Sequence, residues 1–216
     1  MNAGDSKQTN KTQIDELLAK YPVISDQVSM RELEIILHHL LESLKNTKNG
    51  HIVEFGCFVG TTSLFLQRLC QKFRLPPANL HVYDSFEGLP PKAQQDASPI
   101  GLQFTTGKLH ASKKEFVRNF KKANLPLPNI HKAWFSDISN SDIPNNICFA
   151  FLDGDYYHSI WQSLRLIENK LLPGAIIIVD DYQSEQLPGA QKALDEWLVS
   201  KPYKLRKQSS LGIIRT

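Results

Sequence analysis

The chain has 216 residues, 41% of them hydrophobic and 22% charged, which suffices for a single domain whose core buries roughly 70% of the unfolded surface. Its 25 basic and 22 acidic residues are dispersed and leave a formal net charge of +3, so the short lysine clusters are typical of solvated helix faces. No apolar run approaches the roughly 20 residues of a membrane helix. Composition therefore predicts neither a nucleic-acid nor a membrane partner.

The cysteines Cys57, Cys70 and Cys148 have no CxxC spacing, and the first twelve residues contain no apolar segment of the kind found in secretory signals. Because two of these thiols fall in or beside predicted buried strands, a reducing environment fits them best. We therefore expect a cytoplasmic protein.

Residues 1–48 are expected to form a polar, disordered tail followed by a helical cap, and residues 50–216 the core of the same domain. Apolar residues recur at helical spacing over Gln13–Ala19 and Met30–Leu44, which predicts two amphipathic helices. The apolar face of the second helix is suited equally to its own domain and to a second subunit. A homodimer is therefore one possible assembly.

Beyond the polar break at Lys45–Gly50, apolar runs and helical patterns alternate. The predicted strands are His51–Phe55, Leu80–Tyr83, Asn129–Trp134, Ile147–Leu152, Ala175–Val179, Tyr203–Lys207 and Leu211–Arg215. The predicted helices are Thr61–Phe73, Lys113–Lys122, Tyr157–Leu171 and Gly189–Val199. This order predicts an α/β fold with a doubly wound, mostly parallel seven-stranded sheet. The last two strands have hairpin spacing, which predicts an antiparallel C-terminal edge.

Ligands of such sheets bind beyond the carboxyl ends of the strands. After the first strand, a turn bracketed by Gly56 and Gly60 leads into a helix that Thr61 or Thr62 is expected to cap. The spacing Gly-x-x-x-Gly differs from the dinucleotide fingerprint, and an ordinary strand-to-helix turn explains it equally well.

Asp84 ends the second strand, where folds of this kind bind ribose hydroxyls; its alternative role is to cap a turn. After the third strand, Phe135 and Ser136 offer an aromatic face and a hydrogen-bonding group suited to adenine. Aromatic residues at such positions more often belong to the core, and Asp137 is equally suited to capping the next turn.

Acidic pairs follow the fourth and fifth strands, at Asp153-Gly154-Asp155 and Asp180-Asp181. Crowded carboxylates repel and raise one another's pKa, and a hard divalent cation with oxygen ligands relieves that repulsion. We expect Asp153, Asp180 and Asp181 to bind Mg²⁺ and Asp155 to act as general base. The alternative is that some of these acids only cap helices. The neighbouring His158 is expected on a helix surface or as an auxiliary substrate contact.

The motifs EFGxxxG (54–60), YDSFEGLP (83–90), WFxD (134–137), LDGDxYxS (152–159) and VDDY (179–182) resemble those of the macrocin O-methyltransferase family in order and spacing. The resemblance covers about residues 50–197, and DSFEGLP is its most specific part. It implies a Rossmann-like methyltransferase domain that depends on S-adenosylmethionine and Mg²⁺ and methylates a hydroxyl of a small molecule, a sugar or natural product.

The resemblance assigns the ribose to Asp84, the methionine side of the cofactor to Glu54–Phe58 and the neighbourhood of adenine to Phe135. It supports the metal and base roles given above. The predicted cofactor-binding residues are Glu54, Phe55, Gly56, Cys57, Phe58, Gly60, Thr61, Asp84, Ser85, Phe86, Phe135, Ser136 and Asp153.

The chain departs from the family pattern at two places. A Trp-Arg-Gly-Gly run is replaced by Phe58-Val59-Gly60-Thr61, and Pro91–His110 has no evident counterpart. Two other functions fit part of the pattern: a regulatory protein that binds an adenosine ligand without turnover, and a Mg²⁺-dependent phosphate-transferring enzyme. The first leaves the four carboxylates unexplained, and the second lacks a recognisable phosphate-binding loop.

Overall fold

A seven-stranded sheet organises the computed structural model, which describes residues 13–47 and 50–216. The expected N-terminal tail and part of the polar break lie outside the described residues. The strands are β1 His51–Phe55, β2 Leu80–Asp84, β3 Asn129–Lys132, β4 Ile147–Leu152, β5 Leu171–Val179, β6 Lys204–Gln208 and β7 Leu211–Arg215. Their order is β3-β2-β1-β4-β5-β7-β6; β1 to β5 run parallel, and β7 is antiparallel to both β5 and β6. The predicted mixed sheet with an antiparallel edge is confirmed.

The described helices are α1 (residues 13–20), α2 Met30–Asn46, α3 Thr61–Lys72, α4 Lys113–Lys122, α5 Tyr157–Ile167 and α6 Pro188–Leu198. All were predicted to within a few residues. In the described part of the chain, no helix combines the length and apolar character needed to cross a membrane.

Strand β5 differs most from its prediction, because it begins at Leu171 instead of Ala175 and includes Pro173 and Gly174, residue types that favour turns. The C-terminal residue pairs with this stretch: the Gly174 N–H donates to the Thr216 carbonyl at 2.9 Å, and the Thr216 hydroxyl donates to the Leu172 carbonyl at 3.0 Å. A partner distant in sequence thus extends the strand. Helix α5 correspondingly ends at Ile167, four residues before its predicted end.

Apolar side chains form two main clusters, one on each face of the sheet. Helices α2, α3 and α4 cover one face, and α5 and α6 cover the other. On α2, Leu33, Ile36, Leu37, Leu40 and Leu41 are fully buried within the single chain. The apolar face of α2 therefore packs on its own domain, and the suggestion of a dimer through that face loses its basis.

Candidate active site

The glycine turn after β1 brings two strand ends into contact. Gly56 has φ +84°, and a Cβ atom there would lie 1.8 Å from the Asp153 carbonyl oxygen, so only glycine fits this close approach. Gly60, at φ +92°, begins α3 without a side-chain cap. The predicted capping by Thr61 or Thr62 is therefore wrong: both lie within the helix, and the Thr61 hydroxyl instead bonds that of Ser25 at 2.8 Å.

Asp84 joins two loops at the end of β2. Its Oδ2 accepts backbone N–H bonds from Cys57 (2.7 Å) and Phe58 (3.0 Å), and its Oδ1 accepts one from Phe86 (2.7 Å). The turn-capping alternative is thus present in the structure. A carboxylate has about four acceptor positions, so these three bonds leave about one position of Asp84 free to accept a hydrogen bond from a ligand. Asp84 also lines the cavity described below.

Backbone strain accompanies this arrangement. The backbone of Phe58 (φ 48°) and Phe86 (φ 55°) lies in the left-handed region, which is unfavourable for bulky residues. Asp155 (φ 60°) and Asp181 (φ 56°) lie in the same region. Strained residues of this kind cluster at functional sites. All four lie in loops at the carboxyl end of the sheet.

Glu54 is the penultimate residue of β1 and is 1% exposed. The Ser63 hydroxyl on α3 donates to its Oε2 at 2.5 Å, which connects the strand before the glycine turn to the helix after it. The pKa of Glu54 is raised to about 8. Burial is the main cause, the hydrogen bond from Ser63 lowers the pKa in part, and the charge of Asp84 raises it. The carboxyl is therefore largely protonated at neutral pH in the ligand-free protein.

Asp153, Asp155 and Asp181 each place one carboxylate oxygen within 4.8 Å of the others. This group differs from the predicted ligand set, which had Asp180 in place of Asp155. Asp180 Oδ1 accepts the Asp181 N–H at 2.8 Å and the Ser210 hydroxyl at 3.2 Å. Asp153 and Asp181 belong to both sets.

The four carboxyl groups perturb one another. Burial, followed by the charges of the other acids, raises the pKa of Asp153, Asp155 and Asp181. Burial also raises the pKa of Asp180, although the Asp181 N–H lowers it in part. A cluster of hard carboxylate oxygens, with no Lys or Arg among the described residues of the cavity wall, fits a divalent cation such as Mg²⁺.

A cavity of about 670 Å³ lies over these loops. Its walls include the predicted residues Gly56, Phe58, Asp84, Ser85, Phe135, Ser136, Asp153, Asp155, Asp180 and Asp181, together with His158. Other predicted cofactor residues support the wall without belonging to it: Glu54, Phe55, Cys57, Gly60, Thr61 and Phe86. Phe55, for example, packs edge-on against Phe135 at 5.2 Å between ring centroids.

Three acidic residues of the cavity wall, Asp26, Glu32 and Asp96, were not predicted from the sequence. Glu32, in the first turn of α2, accepts a hydrogen bond from the Ser210 hydroxyl at 2.5 Å, and that hydroxyl also reaches Asp180. Burial alone raises the pKa of Glu32, but the Ser210 and Ser29 bonds lower it on balance. The local signal was only the Ser29-x-x-Glu32 capping box, which does not reveal a partner on the β6–β7 turn.

Asp96 was also not predicted and is 2% exposed. Its Oδ1 accepts the Tyr157 N–H at 2.7 Å, and its Oδ2 accepts the Ala93 N–H at 2.8 Å. The side chain therefore caps α5, whose own preceding residue, Tyr156, supplies no side-chain cap. No local pattern predicts a cap that comes from 61 positions away.

The sheet order, the glycine turn and the acid at the end of β2 define a Rossmann-like methyltransferase fold. The solved O-methyltransferase NovP shares it with a TM-score of 0.77, at 22% identity over 94% of this chain and 87% of that one. CalS11, a calicheamicin methyltransferase, does so with a TM-score of 0.69 at 16% identity, over 100% and 94% of the two chains.

The family model for macrocin O-methyltransferase (TylF) matches residues 9–202, and the chain belongs to that family. Demethyldecarbamoylnovobiocin O-methyltransferase of Streptomyces niveus is 25% identical over 175 residues, which are 79% of this chain and 66% of that protein. Mycinamicin III 3''-O-methyltransferase of Micromonospora griseorubida is 24% identical over 186 residues, 82% of this chain and 72% of that protein. The match thus spans about two thirds of the length of these curated relatives.

Proposed function

We propose that this protein transfers a methyl group from S-adenosylmethionine to a hydroxyl of a small molecule, a sugar or natural product, with the help of Mg²⁺. One observation carries the proposal: four carboxylates share a cavity with the glycine turn and Asp84. The relatives support it, since their names describe O-methylation of demethyldecarbamoylnovobiocin and mycinamicin III. Three free, buried cysteines are consistent with a cytoplasmic location.

Asp84 would accept the cofactor's ribose hydroxyls with the acceptor positions that its three backbone bonds leave open. Phe135 and Ser136, in the cavity wall after β3, would contact the adenine. Gly56 and Phe58 would approach the methionine part, because the backbone of their turn lines the same cavity. This arrangement would bring the sulfonium methyl near the carboxylates that follow β4 and β5, and correct alignment of methyl and nucleophile would supply much of the rate enhancement.

Asp153, Asp180 and Asp181 would hold Mg²⁺. Bound there, the cation supplies charge that lowers the pKa of a nearby substrate hydroxyl. Asp155 would then take the hydroxyl proton as general base, and the oxygen would attack the methyl in a single displacement that breaks the sulfur–methyl bond and releases S-adenosylhomocysteine. This assignment keeps the predicted division of roles between metal and proton.

Two matched variants separate the roles of Asp155 and Asp180. If Asp155 is the base, Asp155→Asn loses methyl transfer and retains Mg²⁺ affinity, whereas Asp180→Asn loses Mg²⁺ affinity. The opposite pattern would make Asp155 the ligand and contradict the assignment. Calorimetric titration of Mg²⁺ into each variant with S-adenosylhomocysteine present measures the difference.

Calorimetry with S-adenosylmethionine, S-adenosylhomocysteine and ATP, each with and without Mg²⁺, tests the class of function. The proposal predicts binding of both sulfur cofactors and none of ATP. Tight binding of ATP alone would favour a phosphate-transferring enzyme or a nucleotide-binding regulator.

A further inference from the structure

Glu32 brings a further carboxylate to the cavity from outside the aspartate motifs. It lies in the first turn of α2, is partly buried, and lines the same cavity as Asp153, Asp155, Asp180 and Asp181. The groups that donate hydrogen bonds to its carboxylate are hydroxyl and amide groups, not cations. Its negative charge is therefore not neutralised by these partners.

Three hydrogen bonds fix the Glu32 side chain. Oε2 accepts the Ser29 N–H at 2.8 Å and the Ser29 hydroxyl at 2.7 Å, and Oε1 accepts the Ser210 hydroxyl at 2.5 Å. Because both carboxylate oxygens are engaged, the group is held in one orientation. The bond to Ser210 connects positions 178 residues apart in sequence.

Ser210 lies between Glu32 and the predicted cation ligand Asp180. Its hydroxyl oxygen is 2.5 Å from Glu32 Oε1 and 3.2 Å from Asp180 Oδ1. A serine hydroxyl has one proton, so it cannot donate fully to both carboxylates, and the shorter distance favours donation to Glu32. Two carboxylates thus lie one hydroxyl group apart, an arrangement that a nearby cation relieves.

The β6–β7 turn that carries Ser210 is fixed against the loop after β5 by other contacts. The Ser210 carbonyl accepts the Gln183 N–H at 3.0 Å. Next in the hairpin, a Cβ atom on Gly212 would lie 2.9 Å from Cγ of Tyr182, so glycine allows this close approach. Neither contact involves Glu32, and a change of the Glu32 side chain should therefore leave Ser210 in place.

Glu32 does not have the geometry of a direct ligand. The acids that place one oxygen each within 4.8 Å of one another, among the described residues, are Asp153, Asp155 and Asp181. The charge of Glu32 nevertheless acts at this group, because it is one of the causes that raise the pKa of Asp180 and Asp181. Charges a few ångströms apart at a partly buried site interact strongly.

From these observations we infer that Glu32 belongs to the cation site without being a ligand: its charge strengthens cation binding, and Ser210 holds it beside Asp180. The inference rests on the proposed function and deepens it by adding a residue of α2 to the cation site.

Glu32 also has a structural role, since it forms a capping box with Ser29 at the start of α2. Gln preserves a capping box, has nearly the same shape as Glu and can accept the Ser210 hydroxyl bond. Glu32→Gln therefore removes the charge and keeps the structural role.

The test is calorimetric titration of Mg²⁺ and of Ca²⁺ into wild type, Glu32→Gln and Glu34→Gln, each with S-adenosylhomocysteine present. Mg²⁺ demands near-ideal octahedral geometry, whereas Ca²⁺ accepts flexible geometry, so the pair separates an effect of charge from an effect on ligand placement. Glu34→Gln is the matched control, because Glu34 lies on the same helix, pairs with Arg31 at 2.7 Å and does not line the cavity.

We expect Glu32→Gln to weaken Mg²⁺ binding about 10-fold, the lower end of the effect for groups that surround metal ligands, and to weaken Ca²⁺ binding by the same factor. Glu34→Gln should bind both cations as wild type does. The affinity for S-adenosylhomocysteine without cation should be equal in all three proteins, which also shows that the variants are folded.

Unchanged Mg²⁺ affinity of Glu32→Gln, an equal loss in Glu34→Gln, or a loss for Mg²⁺ without one for Ca²⁺ would overturn the inference and leave the proposed function standing. Wild type that binds S-adenosylhomocysteine but neither cation would overturn the inference together with the proposed role of Mg²⁺.

Discussion

Replacing Glu54 with Gln should make the ligand-free protein more stable at neutral pH. The Glu54 carboxyl is buried between β1 and α3, and the pKa of about 8 means that folding holds a proton which the unfolded chain, with a pKa of 4.5, releases. Gln has nearly the same shape, can accept the Ser63 hydroxyl bond and does not ionise.

The pH dependence follows from those two pKa values. A raised pKa in the folded state favours folding fully below pH 4.5, and this contribution is lost progressively as the pH rises towards 8. Between pH 4.5 and 7 the loss amounts to about 3 kcal/mol, at about 1.4 kcal/mol per pKa unit. The free energy of unfolding of Glu54→Gln should therefore rise relative to wild type by about that amount over the same interval.

The assay is urea unfolding of both proteins without cofactor or metal, at several pH values between 5 and 8. The comparison uses only the difference between the two proteins, so titration of the aspartate cluster, common to both, largely cancels. Glu185→Gln is the control, since Glu185 is exposed in the loop before α6, and its difference from wild type should stay small at every pH. A difference between Glu54→Gln and wild type that did not vary with pH would refute the reasoning.

Two further predictions concern parts of the fold away from the acids of β4 and β5. Asp96→Ala leaves two backbone N–H groups without their acceptor and should lower the free energy of unfolding by about 2 kcal/mol. The control is Asp137→Ala, which should change the free energy of unfolding little because Asp137 is exposed. Equal effects of the two variants in urea unfolding would contradict the capping role of Asp96. The rings of His51, His81 and His131 form a chain across β1, β2 and β3, and burial lowers the pKa of His51 and His131. The contribution of these histidines to stability should accordingly fall as the pH drops below about 6.5, where the unfolded chain takes up protons more readily. His131→Gln should reduce that dependence in denaturant titrations at pH 7.5 and 5.5, and an unchanged dependence would exclude a contribution from His131.

The order and type of the helices and strands could be predicted because the period of the apolar residues and the composition of each segment determine them locally. The run Ala175–Val179 indicated a strand covered on both faces, and the two closing runs indicated a hairpin. The start of β5 could not be predicted, because Pro173 and Gly174 favour a turn, whereas pairing of Leu171 with Ile147 of β4 and bonds with the C-terminal residue extend the strand.

The parts of the candidate site that could be predicted are those in which a motif directly follows a predicted strand. The acids after β4 and β5 meet as expected, since parallel strands end at one edge of the sheet. Which of these carboxylates lie closest together could not be predicted, because the direction of each side chain depends on the left-handed backbone at Asp155 and Asp181. The roles of Glu32 and Asp96 depend on partners far away in sequence, which local patterns do not contain.

The central claim is that the carboxylates serve cation-assisted methyl transfer. The most direct measurement follows transfer of a labelled methyl group from S-adenosylmethionine to a small-molecule acceptor that the wild type methylates, in wild type and Asp153→Ala, with and without a chelator. The account predicts that the chelator abolishes transfer by wild type and that Asp153→Ala reduces it by roughly 100-fold or more, while Asp137→Ala retains it. Transfer that survives both Asp153→Ala and the chelator would contradict the claim.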